Sequence, residues 1–354
     1  MENARIGSEF YIGCMLGAAL GNSMGSCCRQ GKMAPGFTSS LHFEGLMQLA
    51  VFTAEGLLRA THRAKMHGTN GTFSEIVYES YQRWLKTQTF DYNDLVELPK
   101  NDGWLMRRSE MYYKGVPLKH TIGVLRKNKP GEIGKPINRL TDYEGLLRVF
   151  PVGLMFPGDA KLAFQVGAEI CALTHGAPEA YVSAGFYAAL IAELAKGALL
   201  PQAIESAMDL LDASEGAAKV RTAIIDILYL KDEVAEAEDS EKQGLIANYL
   251  KQNESAEAAT QLLAFGLFCV LQNPDNYKEC VLQAVRYKEA PHAAGMLAGS
   301  LSGLIHGETQ LPEEWIANLK HRDIVIQIAE DLLTGIKGGI FIVDREWVAK
   351  YPGW

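Results

Sequence analysis

Apolar residues recur at three- and four-residue spacing through most of this 354-residue chain. The segments 44–66, 73–88, 159–174, 178–197, 201–212, 216–231, 242–251, 254–272, 276–286, 293–306 and 322–336 all carry that period. Such spacing gathers the apolar side chains on one face of a helix, ready to pack on a core. Alternation of apolar and polar residues, the mark of a half-buried strand, is nearly absent; GIFIV at 339–343 is the one short candidate. Turn-rich runs punctuate the helices at Gly68-Thr-Asn-Gly71, Asn128-Lys-Pro-Gly131 and Asn273-Pro-Asp275. No Ser/Gly-rich linker divides the chain. The pattern predicts an all-α protein, a single compact multi-helix domain over 1–354.

Two glycine series interrupt this regularity. Gly13, Gly17, Gly21 and Gly25 recur every four residues, and so do Gly295, Gly299, Gly303 and Gly307. Four residues advance a helix by about 400°, so each series stays near one face. Glycine inside a helix costs about 1 kcal/mol relative to alanine, so four in a row need a compensating interaction. Close backbone packing supplies one, and it predicts that these two helices lie at the centre of the bundle.

Composition changes this picture little. Hydrophobic residues make up 48% and charged residues 21%, the balance of a folded globular chain. The formal charge of -8 lacks the basic footprint of a nucleic-acid binder. No apolar run reaches the roughly 18 residues of a membrane span, and the first residues do not read as a secretory signal. Six cysteines without CxxC spacing read as reduced thiols, so the expected location is the cytoplasm. The strongest local basic stretch, Arg107, Arg108, Tyr112, Tyr113, Lys114, Lys119, His120, Arg126, Lys127 and Lys129, reads first as a solvated face.

Four stretches resemble the ADP-ribosylglycohydrolase family, the dinitrogenase-reductase-activating type of ADP-ribosylhydrolase. GCMLGAALGNSMG (13–25) is similar to the family's GCLLGxAxGDALG, and QLAVFTAEGLLRA (48–60) to its DDTQMTLFTAEGLLRA. LLRVFPVGL (146–154) and LTHGAPEAYVSAG (173–185) resemble GxxMRVAPIGL and LTHGHPEA. The last, AVRYKEAPHAAGMLAGSLSGLIHG (284–307), resembles AVNHxGDSDSTGAxxGxxxGAxxG. Asp102-Gly-Trp104 and Pro136-Ile-Asn138 also fall in place, so the likeness runs from about 8 to 336 and leaves 337–354 as a C-terminal tail. It implies a helical bundle around a central cleft. In active members two magnesium ions there hold ADP-ribose while water cleaves its bond to a modified side chain.

Magnesium takes about six hard oxygen ligands, which the family provides from a Thr-Asp-Asp run and a GDSDST run. In this chain the first run falls on Glu44, Gly45 and Leu46, and the second on Glu289 to Ala294. Ala290, His292 and Ala294 stand at the ligand positions of that second run. Glu44 alone offers an oxygen, and the nitrogen of His292 suits magnesium poorly. The family's Gly-Asp reads Gly21-Asn22, a later glutamate falls near Cys28-Arg29, and the ADP-ribose loop keeps only Asn138 and Gly145 within NRLTDYEGLL. The resemblance therefore implies a degenerate member with no catalytic residues in place and no cofactor.

Other readings of the same residues stay open. Glu44, Asp142, Glu144, Glu289 and His292 all fall near the old cleft, where a histidine with carboxylates could hold a softer metal such as zinc. Arg29, Arg286 and Lys288 could replace the metals' charge in holding pyrophosphate, or Arg286 and Lys288 could simply close a helix C-terminus. Asn22, Asn138, Tyr143 and Glu144 are candidates to line the cleft, which Leu46, Met47 and Tyr143 could also pack shut. His175 reads as a packing or capping residue, Glu55 as paired or facing solvent, and Cys27-Cys28 as unreactive thiols. The leading expectation is a pseudoenzyme that acts by binding a protein, one form being an immunity protein that blocks an ADP-ribosyltransferase toxin. A residual ADP-ribosylhydrolase and a metal-free ADP-ribose reader are the alternatives.

Overall fold

The computed structural model describes residues 4–31, 40–68, 72–94, 102–253, 258–338 and 344–353. Within them the chain forms α1 (Ser8–Arg29), α2 (Gly45–His67), α3 (Phe73–Thr89), α4 (Lys119–Leu125), α5 (Phe150–Met155), α6 (Ala160–Ala172), α7 (Pro178–Lys196) and α8 (Leu200–Asp209). It continues with α9 (Glu215–Glu236), α10 (Asp239–Gln252), α11 (Ala258–Gln272), α12 (Tyr277–Ala284), α13 (Pro291–His306), α14 (Glu313–Asn318), α15 (Arg322–Ile336) and α16 (Arg345–Lys350). No strand forms among the described residues; two isolated bridges, Leu41 to Leu319 and Glu132 to Lys135, are the nearest approach. The candidate strand at 339–343 lies outside the described residues. No helix among them is long and apolar enough to cross a membrane.

Local chemistry sets many of the helix ends. Asp159, Ser214, Asn276 and Asp344 cap α6, α9, α12 and α16 by accepting backbone N–H groups of the first turn. Pro178 opens α7, and Gly197 closes it at φ 113°, a left-handed conformation that costs glycine little. The short helices α4, α5, α14 and α16 have no signal in the apolar period, because six or seven residues make fewer than two full turns.

The two glycine series meet as a ladder between α1 and α13, which run antiparallel at the centre. Gly13 faces Gly303, Gly17 faces Gly299, and Gly21 faces Gly295, each Cα against the opposing backbone carbonyl. Gly25 completes the ladder against Pro291 and His292. A methyl group at any of these positions would overlap backbone atoms that no rotamer change can move. Around the pair lie α2, α5, α7, α11, α12 and α15, whose inward residues form one continuous apolar core.

The C-terminal tail belongs to this fold. Tyr351 is fully buried, its hydroxyl donates to Asp331 on α15, and Lys350 pairs with the same carboxylate. From α2, Arg59 Nε donates to the Pro352 carbonyl at 3.0 Å, and His62 Nδ1 meets the Tyr351 carbonyl at 2.6 Å. Beneath them Glu55, fully buried, lies 3.1 Å from Arg83 and 3.7 Å from Arg59. The sequence left Glu55 to pair or to face solvent; it pairs.

Candidate functional site

The ladder brings together the segments to which the resemblance assigns a site. The C-terminal end of α1, the start of α2 and the start of α13 come together, and Asn22 ties them. Its Oδ1 accepts the Glu44 N–H at 2.9 Å, and its Nδ2 donates to the His292 carbonyl at 3.4 Å. An aspartate could accept the first bond but has no proton for the second. Asn22 is fully buried and acts as a structural clasp.

The positions that the resemblance aligns with metal ligands carry little to hold a hard cation. Gly45 has no side chain and packs on Leu118 and Trp84, while Leu46 is buried in the core. Glu44 turns its carboxylate onto the segment after α3, where Oε2 accepts the Val116 N–H at 3.0 Å and its methylenes lie against Gly115. Ala290 and Ala294 are buried methyl groups. Magnesium needs about six oxygens, and these residues do not fit it.

His292 is the exception in this otherwise carbon-lined corner. It is 2% exposed, and neither ring nitrogen has a hydrogen-bond partner. Tyr143 packs edge-on against it, ring centres 6.0 Å apart. Burial first, then the positive charge of Arg29, pushes the imidazole down to about 4. The unfolded chain takes up this proton near 6.5, the native chain only near 4, so acid favours unfolding between the two values. Stability is complete above pH 6.5 and falls as pH drops to about 4, by on the order of 3 kcal/mol. His292→Phe should lose most of that slope, read as the urea midpoint at pH 7 and near pH 4.5. Equal slopes in both proteins would refute this account.

The remaining candidates divide. Arg29, exposed at the end of α1, acts by its charge on both His292 and Tyr143; burial, then Glu144 and Asp142, push the Tyr143 hydroxyl up to about 12, against the opposing charge of Arg29. Tyr143 also lines a cavity of about 90 Å³ with Tyr287, Glu289, Leu250 and Gln261. By itself that volume admits a side chain, since drug-sized ligands start near 300 Å³. Arg286 and Lys288 are exposed just past the end of α12, where the Arg286 N–H donates to the Gln283 carbonyl at 3.1 Å. Asn138 spends its amide on the 174–176 turn, donating to the Thr174 carbonyl at 2.8 Å and accepting the Gly176 N–H at 3.0 Å. Glu144 accepts the Thr121 N–H at 2.8 Å and holds the start of α4.

Sequence reading missed a polar relay beside this cleft. Arg148, fully buried with its guanidinium 4.4 Å from the centre of the Tyr81 ring, donates to Thr174 Oγ1 at 2.6 Å. Arginine can only donate, so the Thr174 proton is free for His175 Nδ1 at 2.8 Å. His175 Nε2 then donates to Asp142 Oδ1 at 2.9 Å, and His120 Nδ1 stands 2.7 Å from Asp142 Oδ2. Burial would raise the Asp142 carboxyl, but His175, the Glu144 N–H and His120 outweigh it and bring it to about 2. Nothing in the sequence spacing joins His120, Asp142 and His175, which lie on three separate segments.

Part of the basic stretch is paired with acidic side chains. Arg108 pairs with Glu110 at 2.8 Å and Asp323 at 2.6 Å, and Lys114 with Asp91 at 2.7 Å. None of the six cysteines is in a disulfide, and the Cys14, Cys171, Cys269 and Cys280 thiols are buried and pushed up by burial.

Comparison with known proteins agrees with this architecture. The ADP-ribosylglycohydrolase family model matches residues 5–339, and the chain belongs to that family. A solved structure described as an ADP-ribosylglycohydrolase-related protein complex superposes with a TM-score of 0.59 at 19% identity, covering 93% of this chain and 98% of that one. That similarity establishes the fold. No match was found among curated protein sequences.

Proposed function

We propose that this family member works by binding, with no magnesium-dependent hydrolysis. The observation that carries it is the fate of the ligand positions: Gly45, Leu46, Ala290 and Ala294 offer no donor, and Glu44 is committed to the Val116 N–H. Without those oxygens the two-metal chemistry of active relatives has no seat. The intact glycine ladder and the Asn22 clasp keep the surrounding scaffold rigid, as a recognition surface requires.

The partner that fits this reading is a protein, and an ADP-ribosyltransferase is the natural class, since the family's scaffold meets ADP-ribosylated proteins. An immunity protein that occludes such a toxin needs no metal. The test has two arms. Incubated with an ADP-ribosylated protein and magnesium or manganese, the chain should release no ADP-ribose; metal-stimulated release would sink the proposal. With an ADP-ribosyltransferase encoded beside its gene, it should form a stable complex that suppresses transferase activity. An unaffected transferase would refute the immunity form.

One observation favours a second reading, a metal-free ADP-ribose reader. The buried, unpartnered nitrogens of His292 lie beside the Arg29 charge and the Tyr143 ring, a cationic and aromatic corner suited to a phosphate ester. Calorimetry with ADP-ribose decides it, since binding by this route should weaken in Arg29→Ala.

A further inference from the structure

The relay described above ends in an arrangement that clasping and packing do not use. His120, Asp142 and Glu144 each present a ligand atom, and all of these atoms lie within 4.8 Å of one another. Asp142 is aimed firmly: its Oδ1 accepts from His175 Nε2 and from the Glu144 N–H, both at 2.9 Å. Its Oδ2 is shielded from water and has no hydrogen-bond partner. That oxygen nevertheless stands 2.7 Å from His120 Nδ1, so the two atoms approach without the alignment of a hydrogen bond. Glu144 gives Oε2 to the Thr121 N–H and leaves Oε1 for a ligand.

We propose that His120, Asp142 and Glu144 bind a transition-metal dication of the zinc type. Imidazole nitrogen and carboxylate oxygen are both donors that zinc takes, with bonds near 2.0–2.2 Å, whereas magnesium requires more oxygens. Ligands around a tetrahedral ion at such bond lengths lie about 3.4 Å apart. The ligand atoms now lie within 4.8 Å of one another, and the His120 side chain, 55% exposed, has room to adjust on binding. The same exposure leaves a fourth position open to water or to a partner's side chain. His175 supplies the outer hydrogen bond that orients a ligating carboxylate, and the buried Thr174 and Arg148 fix its tautomer. This site is separate from the former magnesium positions and does not depend on the binding role proposed above.

The test uses the full chain, stripped of metal with a chelator, and titrates it with zinc in competition with a chromophoric chelator. The unaltered chain should bind one zinc, and cobalt in its place should give the visible absorption of a low-coordinate site. His120→Ala, at an exposed position, should weaken binding at least about tenfold. Glu144→Gln, which keeps an acceptor for the Thr121 N–H, should do likewise with an unchanged circular dichroism spectrum. The proposal is overturned if the chain binds no zinc, if His120→Ala binds as tightly, or if the metal is lost instead in Cys28→Ser. Release of ADP-ribose with magnesium is a separate readout, so failure here and failure of the binding role can be told apart.

Discussion

Gly21→Ala should destabilise the protein by about 3 kcal/mol, the upper end of overpacking penalties. Two effects oppose each other at this position. Alanine gains about 1 kcal/mol over glycine in a helix interior. Against that, its methyl would overlap the Gly295 carbonyl on α13, which is backbone and cannot change rotamer. The helices must separate, and the separation is felt along the ladder from Gly13 to Gly25. Gly244→Ala in α10 is the matched control, because a methyl there meets nothing within 4 Å. It should stabilise by up to about 1 kcal/mol. Urea denaturation of both variants decides the matter: opposite signs support close backbone contact, and a neutral Gly21→Ala would refute it.

Glu55→Gln should cost about 3–5 kcal/mol. Breaking one member of a buried ion pair leaves the opposite charge without compensation. Here two guanidiniums, Arg83 and Arg59, depend on the same carboxylate, and burial already lowers Arg59 while Glu55 opposes that. Glutamine keeps the shape and removes only the charge. Because Arg59 also holds the Pro352 carbonyl, the C-terminal segment should become more open to protease in the same variant. A loss below about 1 kcal/mol would show that the pair contributes no net stability. Adding Arg83→Met should recover part of the loss, since it removes one orphaned charge.

Both variants act on features that were unequally legible. The glycine spacing announced the ladder, since a costly residue repeated at one helical face has few physical reasons. Glu55 gave no such signal, because an ionised residue in a helix looks the same from sequence whether it meets solvent or two arginines. Among the candidate site residues, the chemistry of Gly45, Leu46, Ala290 and Ala294 was readable from residue type alone: alanine, glycine and leucine side chains carry no oxygen donor. What Glu44, Asn138, Glu144 and Asn22 do instead was hidden. Each is polar, and only the path of the surrounding backbone decides whether its atoms face the cleft or a neighbouring N–H. The relay through Arg148, Thr174, His175 and Asp142 to His120 was hidden for the same reason, with His120 indistinguishable from its basic neighbours.

The sequence by itself determined the all-α class, the central glycine-packed helix pair and the lack of oxygen donors at Gly45, Leu46, Ala290 and Ala294. Those follow from period, residue size and donor chemistry, which are local properties. Tertiary structure alone decided that the C-terminal tail is part of the core, that His292 sits buried and unpartnered near Arg29 and Tyr143, and that a separate segment brings His120 against Asp142 and Glu144. Those depend on which surfaces the folded backbone sets face to face, and no spacing along the chain encodes that distance.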